Sequence, residues 1–234
     1  MTGDTADVTE ITEIRVLLVD DQDLFREGVR VIVDAQPGMS VVGSAADGVE
    51  AVKLVDELAP DVVLMDIRMP EMDGVEATRQ IFTAERVARR SRPVRVVVLT
   101  TFNLDDRAAT AIRHGASGFL LKDTTPVQLG QAIQTVHAGN AVLAPADLST
   151  LLEQQFKVAV QPPAAYLTLT DKEREVFEAV ARGLSNTEIA SLVFASESTV
   201  KTHVGAILRK LALRDRVQIV VFAHRHGLMS GRTD

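Results

Sequence analysis

The alternation of short apolar runs with amphipathic stretches predicts an α/β fold followed by a small all-α domain. Between residues 14 and 138, five β-branched runs are each followed by a stretch of helical length. The runs are continuously apolar, which indicates strands buried on both faces, as in a parallel sheet with helices on either side. Residues 167–229 contain four helix starts and no comparable run. We therefore predict a doubly wound (βα)5 domain followed by a four-helix domain.

Local signals place the individual elements. Strands are predicted at Ile14–Val19, Met39–Gly43, Val62–Met65, Val94–Leu99 and Gly118–Leu121, and helices at Leu24–Ala35, Val49–Leu58, Val75–Val87, Asp105–His114 and Pro126–Ala138. The last of these helices has Pro126 at its start and Gly139 after its end, which are the usual start and stop residues. In the rear part, Thr170 and Ser185 each open a capping box. Ser196 and Asp215 open the third and fourth helices.

The composition and the residues that start or end helices predict the domain boundaries. We predict an acidic tail over residues 1–13, the α/β domain over 14–138, a linker over 139–166, the helical domain over 167–229 and a tail over 230–234. The linker contains one helical stretch, Asp147–Lys157, and the Pro162-Pro163 pair. Consecutive prolines cannot continue a helix and are typical of a spacer between domains.

The totals restrict the class of protein. The 234 residues are 46% hydrophobic and 24% charged, which is ordinary for a folded soluble protein. No apolar run reaches the length of a membrane span, and the N-terminus lacks a signal-peptide pattern, so we expect a cytoplasmic protein without a membrane partner. The absence of cysteine excludes disulfides and thiolate zinc sites.

Charge is distributed unevenly between the two halves. Residues 1–166 carry 15 Lys/Arg and 24 Asp/Glu, a net charge of −9, whereas residues 167–234 carry 10 and 8, a net charge of +2. An acidic front and a mildly basic rear are typical of two domains with different roles. The small positive value does not by itself establish nucleic-acid binding.

Polar side chains follow the predicted strands at one edge of the sheet. Asp20 and Asp21 follow the first strand, Asp66 follows the third, Thr100 ends the fourth and Lys122 follows the fifth. The carboxyl ends of parallel strands meet at one edge, where α/β proteins place their chemistry. Carboxylates that repel one another are neutralised by a hard cation, and an all-oxygen set favours Mg²⁺. A carboxylate beside Mg²⁺ can attack a phosphoryl group.

Two other activities of the same fold do not fit these residues. A dinucleotide site requires a glycine-rich turn after the first strand, where this chain has Asp20 to Asp23. A metal-dependent aspartyl phosphatase would have a second acidic residue two positions after Asp66, where Arg68 stands. We therefore predict that the protein is not an enzyme beyond its own phosphorylation and the hydrolysis of the product.

The front domain resembles the receiver domain of two-component response regulators over residues 14–138. The matching motifs are Val19-Asp20-Asp21, Met65-Asp66-x-x-Met69-Pro70-x-Met72-Asp73-Gly74, Leu99-Thr100 and Gly115-Ala116-x-Gly118-Phe119-Leu120-x-Lys122. The resemblance implies that Asp66 is the phosphoacceptor and that Asp21 and Asp66 ligate Mg²⁺ directly. Asp20 would help through water, and the backbone carbonyl of Arg68 would complete the metal site.

The same resemblance implies roles for three further residues. Lys122 would pair with the acyl phosphate on Asp66, and Thr100 would move toward it. Phe119 would occupy the position of the switch aromatic. Phe119 is also expected to contribute to the core.

The sequence pattern of the rear domain predicts a helix-turn-helix. The helix that begins after Ser185 is followed by the turn Phe194-Ala195-Ser196 and then by a longer helix. The longer helix has one apolar face and an opposite face with lysine, threonine and arginine side chains. Such a second helix can enter a major groove, where its early residues reach bases and its basic residues reach phosphates.

The rear domain resembles the LuxR-type DNA-binding domain, so the whole chain resembles NarL/FixJ-family response regulators. The motifs are Leu169-Thr170-x-x-Glu173-x-Glu175-Val176, Ala181-x-Gly183-x-Ser185-Asn186-x-Glu188-Ile189-Ala190 and Ser196-x-x-Thr199-Val200-Lys201-x-His203-Val204-x-x-Ile207-x-x-Lys210-Leu211. The predicted DNA contacts are Ser198, Thr199, Lys201, Thr202, His203, Arg209 and Lys210. Gly205 and Ala206 are small where relatives often carry larger residues, so base readout from that turn is expected to be weak.

The family resemblance implies homodimers on DNA half-sites, with the last helix, about Arg216–Arg225, as the dimer face. Its residues Val217, Val220 and Val221 suit that role, or they close the core of the helical domain. We therefore predict a transcription factor that a histidine kinase phosphorylates on Asp66. The rival hypothesis is a constitutive DNA-binding protein whose front domain serves only as a dimerisation module.

Overall fold

The computed structural model describes residues 13–101, 106–140 and 162–228. The front domain contains a five-stranded parallel sheet in the order β2-β1-β3-β4-β5. The strands are β1 (Ile14–Val19), β2 (Met39–Ala45), β3 (Val62–Asp66), β4 (Arg95–Thr100) and β5 (Gly118–Leu121). The predicted doubly wound α/β fold is confirmed, and the strand positions agree with the sequence to within two residues.

In the described residues of the front domain, six helices cover the sheet. They are α1 (Asp23–Asp34), α2 (Gly48–Leu58), α3 (Gly74–Ile81), α4 (Ala84–Arg89), α5 (Asp106–His114) and α6 (Pro126–His137). The single helix predicted over Val75–Val87 was wrong, because the chain breaks at Phe82 and Thr83. Thr83 has extended backbone angles and its hydroxyl donates to the Gln80 carbonyl, so the helix ends there and α4 starts anew.

Over residues 162–228, the described part of the rear domain contains helices and no strand. They are the short α7 (Ala164–Leu167) and then α8 (Asp171–Ala181), α9 (Asn186–Leu192), α10 (Glu197–Lys210) and α11 (Arg216–Arg225). The capping boxes at Thr170 and Ser185 are present, and Ser196 and Asp215 cap the next two helices. Helix α7 follows Pro163 and was not predicted. The helix predicted over Asp147–Lys157 lies outside the described residues.

The cores follow from the sequence patterns. The residues of β3 and nearly all of those of β1 and β4 are buried, as their continuous apolar runs require. Val217, Val220 and Val221 of α11 are also buried and belong to the core of the helical domain. None of the helices in the described ranges is long and apolar enough to cross a membrane.

The two domains touch along α5 and the start of α11. Ser117 Oγ donates to Asp215 Oδ2 at 2.7 Å, and Arg214 donates to the Gly115 carbonyl at 2.9 Å. The Arg214 guanidinium also lies 3.4 Å from the centroid of the Phe82 ring. Asp215 is fully buried, so this contact is a packed interface rather than a surface encounter.

Candidate metal centre and nucleic-acid interface

The carboxyl ends of β1, β3 and β5 bring three acids and one lysine to a common edge of the sheet. Neighbouring strands are in register, so that Val19 pairs with Met65 and Thr100 pairs with Leu121. Asp20 and Asp66 are buried and Asp21 is exposed. The edge predicted from the sequence is therefore the edge at which the polar groups meet.

Lys122 connects the two buried carboxylates. Its Nζ lies 2.6 Å from Asp20 Oδ2 and 2.9 Å from Asp66 Oδ2. The same ammonium stands 4.7 Å from the centroid of the Phe25 ring on α1. One cation therefore serves two buried anions, with an aromatic ring limiting water access on one side.

The site carries more negative charge than its lysine can balance. Burial raises the pKa of Asp66, and the neighbouring Asp20 charge acts in the same direction, while Lys122 and a backbone hydrogen bond from Arg68 oppose the rise. Burial alone would lower the pKa of Lys122, but its two carboxylate partners outweigh that effect and raise it. The arrangement therefore favours a bound cation.

The oxygens at this edge fit a hard divalent metal. One carboxylate oxygen from each of Asp20, Asp21 and Asp66 lies within 4.8 Å of the others. Asp21 is exposed and makes no hydrogen bond or ion pair with another described residue. All-oxygen ligands suit Mg²⁺, so the donor set is compatible with the metal predicted from the sequence. The Arg68 backbone N–H donates a hydrogen bond to the Asp66 carboxylate, and a metal-ligating role of the Arg68 carbonyl stays a prediction.

The loop after β3 is held tightly against Asp66. A side chain at Gly74 would place its first carbon 1.9 Å from the backbone oxygen of Asp66. The Gly74 N–H donates to the Ile67 carbonyl, and Asp73 caps α3 by accepting from the Glu76 N–H. The Asp73-Gly74 pair is therefore a turn and helix start, which fixes the Asp66 backbone.

The two predicted switch residues lie on neighbouring strands. Thr100 is buried at the end of β4, and its carbonyl accepts from the Lys122 N–H at 2.8 Å. Phe119 is half-buried on β5 and packs against the front core. Thr100, Phe119 and Lys122 are therefore connected through the pairing of β4 with β5.

Helix α10 presents most of its predicted DNA contacts to solvent. Ser198, Thr199, Lys201, Thr202 and Arg209 are exposed, whereas His203 is half-buried. The Ser196 hydroxyl caps the helix by accepting from the Thr199 N–H at 3.1 Å. Glu197 accepts a hydrogen bond from Thr187 of α9, which joins the two helices of the helix-turn-helix.

Lys210 differs from the other predicted contacts. Its Nζ lies 2.5 Å from Glu173 Oε2 and 3.3 Å from the Thr168 carbonyl. Glu173 also accepts from the Thr170 N–H in the capping box of α8. The lysine hydrogen bond and the capping bond lower the Glu173 pKa to about 2. Lys210 is therefore engaged inside the domain, and it can reach DNA only by leaving this pair.

Sequence reasoning missed several residues around the two sites. Phe25 beside Lys122 gave no signal, because an aromatic residue in the first turn of an amphipathic helix is usually a core residue. Arg26 donates to the Asp20 carbonyl at 2.5 Å and also pairs with Asp23. Its spacing of three residues from Asp23 was the available clue. The contact between Ser117 and Asp215 joins residues 98 positions apart, which no local pattern reveals.

The fold and the site define the class of protein: an acidic α/β domain of the receiver type joined to a helix-turn-helix domain. Comparison with known families agrees. The response regulator receiver domain matches residues 16–134, and the bacterial regulatory proteins of the luxR family match residues 167–223. The chain belongs to the response regulators that carry a LuxR-type DNA-binding domain.

Similar proteins extend over nearly the whole chain. The chain is 42% identical over 219 residues to the uncharacterized transcriptional regulatory protein YxjL of Bacillus subtilis, covering 93% of this chain and 98% of YxjL. It is 38% identical over 217 residues to the transcriptional regulatory protein LiaR of the same organism, covering 93% of this chain and 100% of LiaR.

Solved structures give the same assignment. A LuxR-family two-component response regulator from Aurantimonas is 36% identical with a TM-score of 0.52, and the match covers 61% of this chain and 98% of that one. The receiver domain of a putative response regulator NarL from Mycobacterium tuberculosis is 35% identical with a TM-score of 0.50, covering 55% and 98%.

Proposed function

We propose that a sensor histidine kinase phosphorylates Asp66 in an Mg²⁺-dependent reaction, and that the product switches DNA binding by the helix-turn-helix. The observation that carries this proposal is the bridge from Lys122 to Asp20 and Asp66 beside the exposed Asp21. A purely structural site would gain stability by losing one of these repelling acids. The names of the relatives, which are transcriptional regulators, point to the same function.

The reaction needs a carboxylate nucleophile and a group that offsets charge on phosphorus. An Asp66 oxygen attacks the phosphorus, the bond from phosphorus to the histidine nitrogen breaks, and that nitrogen keeps the electron pair. Lys122 Nζ lies 2.9 Å from the attacking carboxylate, so the ammonium can stabilise the negative charge that develops on the phosphoryl oxygens. Bound Mg²⁺, held by Asp21, Asp66, the Arg68 carbonyl and Asp20 through water, would neutralise these oxygens.

The new charge on Asp66 is proposed to change the face around β5. A phosphoryl oxygen offers a new acceptor for the Thr100 hydroxyl at the end of the neighbouring strand. Movement of Thr100 frees space toward which Phe119, half-buried on β5, can turn. Strand β5 starts directly after Ser117, the residue that contacts Asp215, so a shift of this strand reaches the contact between the domains.

The output is proposed to be a homodimer on promoter half-sites of double-stranded DNA. The exposed side chains at the start of α10 would face bases, and Lys201 and Arg209 would face phosphates. The Thr202 hydroxyl donates to the Ser198 carbonyl, so it must rotate before it donates a hydrogen bond to DNA. A dimer through α11 would use the part of that helix not already packed in its own domain.

A gel-shift titration tests the coupling between the two domains. Wild type and Asp66→Asn are each incubated with Mg²⁺ and acetyl phosphate and then titrated onto a promoter fragment. We expect about tenfold tighter binding by wild type only, which corresponds to about 1.4 kcal/mol. Asp23→Asn, an exposed acid near the same edge, is the matched control and should behave as wild type. Equal affinity of wild type and Asp66→Asn supports the constitutive DNA-binding hypothesis instead.

A further inference from the structure

Two cavities lie side by side where the front and rear domains meet. Both are lined by Phe82, Val87 and Arg214, and the stack of Arg214 on Phe82 lies between them. Their volumes are about 250 and 280 Å³, so together they have the size of a site for a small molecule. They lie near the starts of β4 and β5, at the opposite end of the sheet from Asp66.

The walls of both cavities are cationic. Besides Arg214, the first cavity is lined by Arg90 and Arg92, and the second by Arg113, His114 and Arg225. Neither lining contains a carboxylate among the residues that the structure describes. The chain as a whole has a net charge of −7, so this concentration of positive charge is local and runs against the overall balance.

The nearest acids do not balance these charges. Asp56 forms ion pairs with both Arg86 and Arg90, so this cluster of one acid and two arginines keeps a net positive charge. Asp215 accepts from the Ser117 hydroxyl and the Gln218 N–H, is buried, and does not line either cavity. Burial lowers the Arg214 pKa to about 10. The positive charges of Arg90 and Arg95 also lower this pKa, whereas the negative charge of Asp215 raises it. An incoming anion would supply the missing countercharge.

The floor of the first cavity is apolar. Phe82, Val87, Pro93 and Val94 line it together with the arginines, and the Phe82 ring is stacked on Arg214. A bare inorganic ion would use the guanidinium groups but would leave this floor in contact with water. The site therefore suits a molecule that carries both an acidic group and an apolar body.

We propose that this cleft between the domains binds a small organic anion, with a phosphate or carboxylate at Arg92 and Arg214 and an apolar body against Phe82 and Val87. Guanidinium groups bind phosphates and carboxylates alike through paired N–H donors. Because the cleft is lined from both domains, the ligand favours the arrangement in which they touch. The proposal does not depend on phosphorylation of Asp66.

Isothermal titration calorimetry of the full chain without Mg²⁺ tests the site. Phenyl phosphate and benzoate are the two probes, and they separate a phosphate ligand from a carboxylate ligand. We expect one of them to bind, and Arg92→Gln to weaken it at least about tenfold. Arg92 is exposed and forms no hydrogen bond or ion pair with another described residue, so the fold tolerates its replacement. Arg89→Gln is the matched control, because Arg89 pairs with Glu85 outside both cavities.

Methyl resonances provide a second measurement on the same samples. The Val87 methyl groups should shift during the titration, whereas those of the exposed Val31 on α1 should not. Inorganic phosphate should bind at least about tenfold more weakly than the organic probe that binds. Equal affinity for inorganic phosphate would contradict the role of the apolar floor. Equal affinity in Arg92→Gln and wild type, or no heat and no Val87 shift with millimolar probe, would overturn the proposal.

Discussion

Each domain contains a lysine paired with a carboxylate, and the two pairs are tuned in opposite directions. In the front domain, Lys122 lies 2.9 Å from Asp66, yet the pKa of Asp66 is raised. In the rear domain, Lys210 lies 2.5 Å from Glu173, and the pKa of Glu173 is lowered to about 2. The chemical groups are nearly the same, so the difference must come from their surroundings.

The surroundings differ in charge balance and in hydrogen bonding, since both carboxylates are buried. Lys122 is shared between two buried acids, so neither carboxylate is fully compensated and burial dominates. Lys210 serves one acid, and a backbone N–H from Thr170 adds a second stabilising hydrogen bond. A pair that stabilises a fold is balanced, whereas a pair at a site of chemistry is left with a charge surplus that a cation or phosphoryl group can use.

Removing the lysine from the front pair should have the largest effect. We expect Lys122→Gln to slow phosphoryl transfer to Asp66 by about 100-fold, because a neutral amide cannot offset charge on the phosphoryl oxygens. The rate is measured by rapid quench with acetyl phosphate and Mg²⁺. Lys53→Gln is the control, since Lys53 is exposed and its only ion pair among the described residues is with Glu57. A Lys122→Gln rate within a factor of two or three of wild type would refute a role in charge compensation.

Breaking the rear pair should affect stability rather than chemistry. Glu173→Gln is expected to lower the free energy of unfolding by about 1 kcal/mol, because it weakens the ion pair and the capping bond. The folded pKa of about 2 lies below the ordinary value of 4.5. The stabilisation is therefore complete above pH 4.5 and is lost as the pH falls from 4.5 toward 2.

Urea unfolding at several pH values measures this effect. The loss of stability between pH 4.5 and 2 should be smaller in Glu173→Gln than in wild type. Glu175→Gln is the control, because Glu175 is exposed and pairs with Lys172 on the same helix. An identical pH dependence in wild type and Glu173→Gln would show that the rear pair is not the stabilising one.

The sequence predicts the front pair better than the rear pair, and the reason is physical. The front acids were predictable, because strand ends converge at one edge of a parallel sheet and the strands are marked by their apolar runs. The pairing of Lys210 with Glu173 was not predictable, because the two residues are 37 positions apart and meet only through the packing of α10 against α8. The break at Thr83 was also missed, since the amphipathic pattern continues through it and only the hydrogen bond to Gln80 ends the helix.

The front domain should become more stable when its surplus charge is removed. A raised pKa means that Asp66 loses stabilising free energy as the pH rises through its folded value, so neutral pH is unfavourable for it. We expect Asp66→Asn to raise the free energy of unfolding at pH 7 by about 1 kcal/mol. Mg²⁺ should raise the melting temperature of wild type more than that of the variant. A destabilised Asp66→Asn would mean that Lys122 already compensates the acids.

The smallest expected effect concerns Gly205, which lies on the exposed face of α10 in the middle of the helix. A side chain at Gly205 would meet no atom within 4 Å. Gly205→Ala should therefore raise the free energy of unfolding by about 0.5–1 kcal/mol through helix propensity. If this face approaches DNA closely, the same variant should bind a promoter fragment more weakly in a gel shift. Gly28→Ala in α1, also with open space around it, is the control and should leave DNA binding unchanged.

The account rests on the assignment of Asp66 as the acceptor, which intact-mass measurement tests most directly. The full chain is incubated with Mg²⁺ and acetyl phosphate, and its mass is recorded for wild type, Asp66→Asn and Asp23→Asn. We predict a gain of one phosphoryl group in wild type and Asp23→Asn and none in Asp66→Asn. A gain that persists in Asp66→Asn, or none in wild type, would contradict the account.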